Sequence, residues 1–190
     1  MRRLLQDDII RLALPARFAE SSRAGGKDFM RVLGIDPGIA RTGWGIIDGI
    51  QSSKFRIQNY GCIETSSKKA THERLVEIYN HILKLIQKYS PDEMAIEELF
   101  FNTNSKTAFV VGQARGVVLL AGAQKKLPIG IYTPLQVKIA VSGYGRAEKA
   151  QVGKMVKTIL GLKEIPTPDD TTDALAVGLT HLFSRRISKL

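Results

Sequence analysis

Hydrophobic and polar residues alternate with a period of two in the part of the chain that follows residue 29. Three short runs, rich in β-branched and aromatic residues and separated by Gly, Asp and Ser, predict three antiparallel strands. These runs are RVLGID, TGWGIIDG and KFRIQNYGCIET.

The period then changes to three and four residues. Apolar residues recur at this spacing between Thr71 and Pro91, which predicts an amphipathic helix stopped by the proline. The later predicted elements are the strand EMAIEEL, a helix capped by Asn104 and running through GQARGVVLLAGAQ, the strand IGIYT, a helix opened by Pro134, the glycine turn SGYGR, the basic helix AEKAQVGKMVKTIL, and a last helix from DDTTDALAVG to about Ser184. The order βββαβαβααα predicts an α/β fold with a mixed sheet.

Residues 1–29 differ from the rest of the chain. They combine a short amphipathic stretch with the Ser-, Gly- and charge-rich segment ESSRAGGKDF, which is typical of a flexible leader. We therefore expect the functional domain to comprise residues 30–190, and the leader to be a mis-assigned start or a dispensable arm.

Composition narrows the class of protein. The chain has 190 residues, 44% of them hydrophobic, and a net charge of +10, of which the leader carries +2; the basic domain favours a polyanionic partner, nucleic acid above all. The single cysteine, Cys62, excludes an internal disulfide, is expected to be a small buried hydrophobe, and fits a reducing compartment. No apolar stretch approaches the roughly 20 residues of a membrane span, so we expect a cytoplasmic protein without membrane contact.

Carboxylates stand at three places that the fold could bring together. Asp36 ends the first strand, and an acid beside a buried strand needs a partner. The others are Glu97 and Glu98 in a later strand, and Asp169, Asp170 and Asp173 at the start of the last helix. The three-residue spacing from Asp170 to Asp173 puts both side chains on one helix face.

Each carboxylate also has a simpler interpretation. Asp169 is well placed to cap the helix or to interact with its dipole, whereas Asp173 lies a turn inside and is followed by the apolar ALAVGL. Strand alternation sends one of Glu97 and Glu98 inward, but both have apolar neighbours on their own face, so periodicity does not choose between them.

The chemistry that uses such a set is phosphoryl transfer with two magnesium ions. The carboxylates hold these two ions about 3.5 to 4 Å from each other. Histidine and cysteine ligands are not needed. The three histidines are expected to be surface or packing residues, with the role of His181 left open; they are His72, His81 and His181.

Five motifs in order, GIDPG, AIEELFF, GQARG, GRAEKAQV and DDTTDALA, closely resemble the RuvC family of crossover junction endodeoxyribonucleases, which resolve four-way (Holliday) DNA junctions. The resemblance runs from Met30 to about Ser184. It implies a ribonuclease H-like fold with a mixed central sheet and flanking helices, a homodimer, and magnesium-dependent cleavage of two opposing strands during recombination and DNA repair.

The resemblance also implies four catalytic, metal-binding acids, which are Asp36, Glu97, Asp170 and Asp173. They would hold two Mg²⁺ ions, with Mn²⁺ able to substitute. This choice selects Glu97 over Glu98 and gives Asp169 no metal role.

Further residues are implied to bind DNA. Phe100, and with it Phe101, would stack against junction bases, which is worth about 1 to 3 kcal/mol per base, although either could instead be a core residue. Lys138 and Lys149 match basic positions that contact DNA near the site. Lys154 and Lys157 are expected to form a solvated face or general phosphate contacts.

Two partners besides DNA are implied. The GQARG helix, which includes Arg115, resembles the family's dimer-forming element, the alternative being that it packs against its own sheet. Docking of a branch-migration helicase complex is also suggested by the resemblance.

Three other functions remain open on the sequence. An actin-like or sugar-kinase-like ATPase also has an Asp and a glycine turn after its first strand, but needs two such lobes. A non-catalytic junction-binding module would bind DNA and never nick it. A related nuclease of the same fold would prefer structured RNA.

Overall fold

Five strands form one mixed sheet in the computed structural model, which describes residues 29–50, 54–98 and 105–187. The strands are β1 (Phe29–Asp36), β2 (Arg41–Ile50), β3 (Phe55–Glu64), β4 (Glu93–Glu97) and β5 (Ile129–Tyr132). Their order across the sheet is β3-β2-β1-β4-β5. The β1–β2 and β2–β3 pairs are antiparallel, as the hairpin-like pattern predicted, and β4 and β5 extend the sheet in parallel with β1.

Five helices flank the sheet within the described ranges. They are α1 (Thr71–Tyr89), α2 (Ser105–Gln124), α3 (Pro134–Ser142), α4 (Lys149–Leu160) and α5 (Asp169–Ile187). Thr133 caps α3 by accepting a hydrogen bond from the Gln136 N–H at 3.2 Å, and Pro134 occupies the first helical position, where its missing N–H costs nothing. None of the helices in the described part of the chain is both long and apolar enough to cross a membrane.

The two faces of the sheet bury separate cores. Leu33 and Ile35 of β1 pack with the buried residues of α1 and α2. Val32 and Ile47 point to the other face and pack with α3, α4 and α5. Because both faces are covered by helices, the strands carry apolar residues at successive positions as well as at alternate ones.

Helix α5 lies unusually close to β1 and β2, because the strands present glycine to it. A methyl group added at Gly43 would stand 1.9 Å from the Asp170 carbonyl oxygen, and one at Gly34 would stand 2.3 Å from that of Ala174. Both distances are shorter than any van der Waals contact. The helix backbone therefore rests directly on the strand backbone, which brings the first turn of α5 to the end of β1.

The predicted elements are confirmed in type and order, with bounds that shift by a few residues. Phe29 already belongs to β1, one residue before the predicted domain boundary, and residues 1–28 lie outside the described residues, so the leader stays a prediction. Cys62 is half-buried rather than buried, because β3 is an edge strand.

Candidate active site

Asp36 and Glu97 end neighbouring parallel strands. Ile35 of β1 is paired with Ile96 of β4, so the two acids occupy adjacent positions at the same edge of the sheet. Both side chains lie on the face covered by α5, since Val32 and Ala95 belong to the core on that side. Glu98 falls on the opposite face and is exposed.

The first turn of α5 brings two more acids to this edge. Asp170 and Asp173 are both partly buried, and their charges act on Asp36. Burial and the nearby charges of Glu97, Asp173 and Asp170 together raise the pKa of Asp36 to about 8. The four predicted acids therefore form one electrostatically coupled group, which we call the acid cluster.

Burial is also the largest cause of the raised pKa values of Glu97 and Asp173. It raises the pKa of Glu97 to about 7, with the charge of Asp173 adding to the effect. It also raises the pKa of Asp173, although Lys149 opposes the rise. Carboxylates that are crowded and desolvated in this way favour the binding of cations.

Lys149 is held between two acids of α5. Its Nζ donates to Asp169 Oδ2 at 2.6 Å and lies 2.7 Å from Asp173 Oδ2. Burial acts to lower the pKa of Lys149, but these two hydrogen bonds outweigh it and the pKa is raised. Asp169 is exposed and lies in the first turn of the helix, in agreement with its predicted role at the helix start.

A cavity of about 260 Å³ opens beside the acid cluster. Glu97 and Asp173 form its acidic wall, and Lys138 and Lys149 its basic wall. Val137 and Val152 supply apolar lining. The predicted DNA-contacting lysines thus lie beside the acids, whereas Phe100 and Phe101, like Asn104, fall outside the described residues.

Arg41 was not predicted as a site residue. It is the first residue of β2, and its Nε lies 3.1 Å from Asp170 Oδ2. The pairing depends on how closely α5 approaches β2, which local sequence does not reveal. A weak signal exists, because Arg41 follows Asp36 by five residues across a tight turn and so returns to the same edge of the sheet.

His181 is a buried structural residue. Its Nε2 lies 2.5 Å from Glu93 Oε2, and its Nδ1 lies 2.8 Å from the Tyr132 hydroxyl. Arg185 Nε also donates to Glu93 Oε2, at 2.8 Å. We call Glu93, His181 and Arg185 the buried ionic cluster. It ties α5 to the start of β4, at the opposite end of that strand from Glu97.

Comparison with known proteins identifies the family. A family model described as "Crossover junction endodeoxyribonuclease RuvC" matches residues 32–181. The chain belongs to the RuvC family. The crossover junction endodeoxyribonuclease RuvC of Caldicellulosiruptor saccharolyticus is 56% identical over 155 residues, covering 82% of this chain and 93% of the relative. That of Halothermothrix orenii is 54% identical over 160 residues, covering 84% of this chain and 96% of the relative.

Solved structures agree with this assignment to RuvC. The Thermus thermophilus RuvC in complex with Holliday junction substrate is 38% identical, with a TM-score of 0.76, and the match covers 83% of this chain and 96% of that one. The yeast mitochondrial Holliday junction resolvase Ydc2 has a TM-score of 0.67 at 15% identity, a likeness of fold alone. The fold is the ribonuclease H-like nuclease fold that the motifs implied.

Nucleases of the RuvC family are metal-dependent, and the acid cluster suits a divalent cation. Its donors are all carboxylate oxygens, the ligands that hard cations prefer, and Asp170 Oδ2 is buried without a hydrogen-bond donor. Among the described residues, no three acids converge tightly enough to surround an ion as they stand, and two of the acids are paired with Lys149 and Arg41. A cation that binds Asp170 or Asp173 would compete with these ion pairs.

The raised pKa values in this RuvC-family site predict a pH-dependent stability. Asp36 and Glu97 hold their protons more tightly in the folded chain than in the unfolded chain, so their contribution is fully present below about pH 4 and is lost as pH rises towards 8. We expect the free energy of unfolding, measured with urea in a chelator, to fall between pH 5 and pH 8 because of these groups.

The Asp36→Asn variant provides the control, because it removes the carboxyl group whose pKa is raised the most. Its free energy of unfolding should decline less over the same pH range. Addition of a divalent cation should reverse the trend in the wild-type protein, since cations bind deprotonated carboxylates. The same slope in both proteins would contradict the assignment of the shift to Asp36.

Proposed function

We propose that this chain resolves four-way (Holliday) DNA junctions by paired, metal-dependent hydrolysis of phosphodiester bonds, during homologous recombination and DNA repair. Asp36, Glu97, Asp170 and Asp173 would hold two Mg²⁺ ions, with Mn²⁺ able to substitute. Membership of the RuvC family favours this function over the ATPase and the non-catalytic module.

One observation carries the assignment of the site. Burial, together with the charges of Glu97, Asp173 and Asp170, raises the pKa of Asp36 to about 8, and these acids from β1, β4 and α5 lie beside a basic cavity wall. A purely structural acid would be satisfied by donors, as Asp48 is by Arg31, Arg56 and Gln58. Here four acids share two cations, Arg41 and Lys149, and such an excess of carboxylates next to lysines suits an ion and a phosphate together.

The side chains have distinct tasks in this mechanism. Divalent ions, when bound, polarise the phosphoryl group and activate water for in-line attack. The acid cluster would hold these ions. Lys138 and Lys149, at the basic wall, would contact phosphate oxygens and stabilise charge that develops during the reaction. Since the domain carries the basic excess, junction binding should weaken steeply with salt.

The exposed face of α2 supports a homodimer. Phe109, Gly116 and Leu120 recur at helical spacing on this face, and Phe109 and Leu120 are 69% and 58% exposed. Apart from the backbone of α2 itself, no atom of the described residues lies within 4 Å of where a side chain on Gly112 or Gly116 would begin, so a second helix could approach closely. The opposite face of α2 packs in the core, which means that the intramolecular alternative applies to that face only.

Incubation of a mobile four-way junction with the protein and Mg²⁺ tests the proposal. We expect two symmetric nicks in opposing strands, and none in a linear duplex of the same sequence. A two-fold dimer explains the pairing, because it presents one site to each strand. Binding without nicks would favour the non-catalytic module, and faster cleavage of structured RNA would favour the RNA-processing nuclease.

Two predictions are not reached by this assay. Docking of a branch-migration helicase complex and a cytoplasmic location rest on the sequence and the family resemblance. Co-purification with the helicase complex would test the first.

A further inference from the structure

Arg41 is a cation at the acid cluster that the mechanism above does not use. Its position at the start of β2 sets it beside the first turn of α5, where its Nε is 3.1 Å from Asp170 Oδ2. The Arg41 side chain is 49% exposed, so a ligand in solvent can reach it beside Asp170. The residue is therefore within reach of both a carboxylate and a bound polyanion.

The pairing of Arg41 with Asp170 is loose. Although the two groups are close, Asp170 Oδ2 has no hydrogen-bond partner, which means that the guanidinium is not aligned with it. Lys149 of α4, in contrast, makes a well-formed hydrogen bond to Asp169, which is the neighbour of Asp170 in α5. A partly exposed and poorly aligned ion pair contributes little to stability and is easily exchanged.

A divalent cation at Asp170 would compete with Arg41 for the same oxygen. The guanidinium would then be free to turn towards solvent, where its planar set of five donors matches a phosphate group. DNA phosphates must pass in front of the acids if those acids serve hydrolysis. The same displacement would thus supply the site with an anion-binding group when cation and DNA are present together.

We propose that Arg41 is a phosphate-binding residue of this site, which pairs with Asp170 in the protein alone and transfers to a DNA phosphate when a divalent cation takes Asp170. The proposal rests on the proposed nuclease function. It predicts two opposite effects of Arg41 on affinity. Arg41 weakens cation binding in the absence of DNA, and it strengthens DNA binding in the presence of the cation.

The chain offers a matched control for an Arg41→Gln variant. Arg56 of β3 also pairs with an acid at 3.1 Å, through Nη2 to Asp48 Oδ2, and is 55% exposed. Its strand position faces Asp48, towards the opposite edge of the sheet from Asp36. Arg56→Gln therefore removes the same charge from an ion pair of the same length without touching the acid cluster.

Two titrations test the proposal. In a calorimetric titration with Mn²⁺ and no DNA, Arg41→Gln should bind the ion about two- to fivefold more tightly than the wild-type protein. In a junction-binding assay with Ca²⁺, the same variant should bind about tenfold more weakly, and the slope of log affinity against log salt should fall by about one phosphate contact. Arg56→Gln should match the wild-type protein in the Mn²⁺ titration and keep its salt slope.

An Arg41→Lys variant is the control for misfolding of Arg41→Gln. It also separates the effect of the charge of Arg41 from the effect of its shape. It should bind Mn²⁺ like the wild-type protein, because the charge remains, and should still bind the junction more weakly, because lysine lacks the planar donor set. Weaker Mn²⁺ binding by Arg41→Gln, or junction affinity equal to that of the wild-type protein, would overturn the proposal. Wild-type protein that binds junctions without nicking them would instead overturn the nuclease function, and the Mn²⁺ titration would remain readable.

Discussion

Replacing Asp36 by asparagine should reduce junction cleavage by at least about 10³-fold while leaving junction binding nearly unchanged. Burial raises the pKa of Asp36, and Glu97, Asp173 and Asp170 all add to the rise, so Asp36 is electrostatically coupled to the other three acids. Asparagine has nearly the same shape, but it carries no negative charge and offers a cation only one neutral carbonyl oxygen. The measurement is single-turnover cleavage of a four-way junction in Mg²⁺, with binding followed separately in Ca²⁺.

Two features keep this result from being mistaken for unfolding. The asparagine variant should be more stable than the wild-type protein near pH 8 in a chelator, because it removes a carboxylate whose burial is unfavourable. The matched control is Glu98→Gln, which neutralises an exposed acid one residue beyond Glu97 on the opposite face of the sheet and should cleave normally. Cleavage at the wild-type rate by Asp36→Asn would refute the metal-binding role of this residue.

The largest loss of stability is expected at the other end of β4. Glu93→Ala should lower the free energy of unfolding by about 3–5 kcal/mol, because it leaves a nearly buried guanidinium and histidine without the carboxylate they share. Glu93 is 2% exposed, and it accepts from His181 at 2.5 Å and from Arg185 at 2.8 Å. Urea denaturation at neutral pH measures the difference.

Glu77→Ala serves as the control for this loss. Glu77 pairs with Lys69 at the surface of α1, where solvent screens the charges, and its removal should cost far less. Burial would raise the pKa of Glu93, but the hydrogen bonds from His181 and Arg185 outweigh it and lower the pKa. The gap between wild-type and Glu93→Ala proteins should therefore narrow as pH falls below about 4.5. Equal losses for the two variants would show that the buried ionic cluster is not stabilising.

The fold was predictable because changes of period and residues that limit helices mark its elements along the chain. The change from a period of two to a period of three and four at Thr71 shows where the chain leaves the sheet. Pro91 lies just after the end of α1, and Pro134 is the first residue of α3. Sheet order and parallel pairing are less local. They follow from the β–α–β connections, which the order of elements already contains.

The site was less predictable wherever it depends on contacts between elements. Alternation could not choose between Glu97 and Glu98, because helices cover both faces of the sheet, and only the register of β4 on β1 separates them. The partners of Lys149 and His181 lie 20 and 88 residues away in sequence. Arg41 was not predicted as a site residue for the same reason, since its partner Asp170 belongs to the last helix.

The contact between Gly43 and the Asp170 carbonyl limits which substitutions can change the spacing of the four acids. The distance from the strand acids to the helix acids is fixed by main chain resting on main chain, with no side chain in between. Core side chains elsewhere can change size, and the protein can gain or lose stability, without altering that spacing. A single methyl group at Gly43 would do the reverse, because it would lift one pair of acids away from the other while the rest of the core stayed intact.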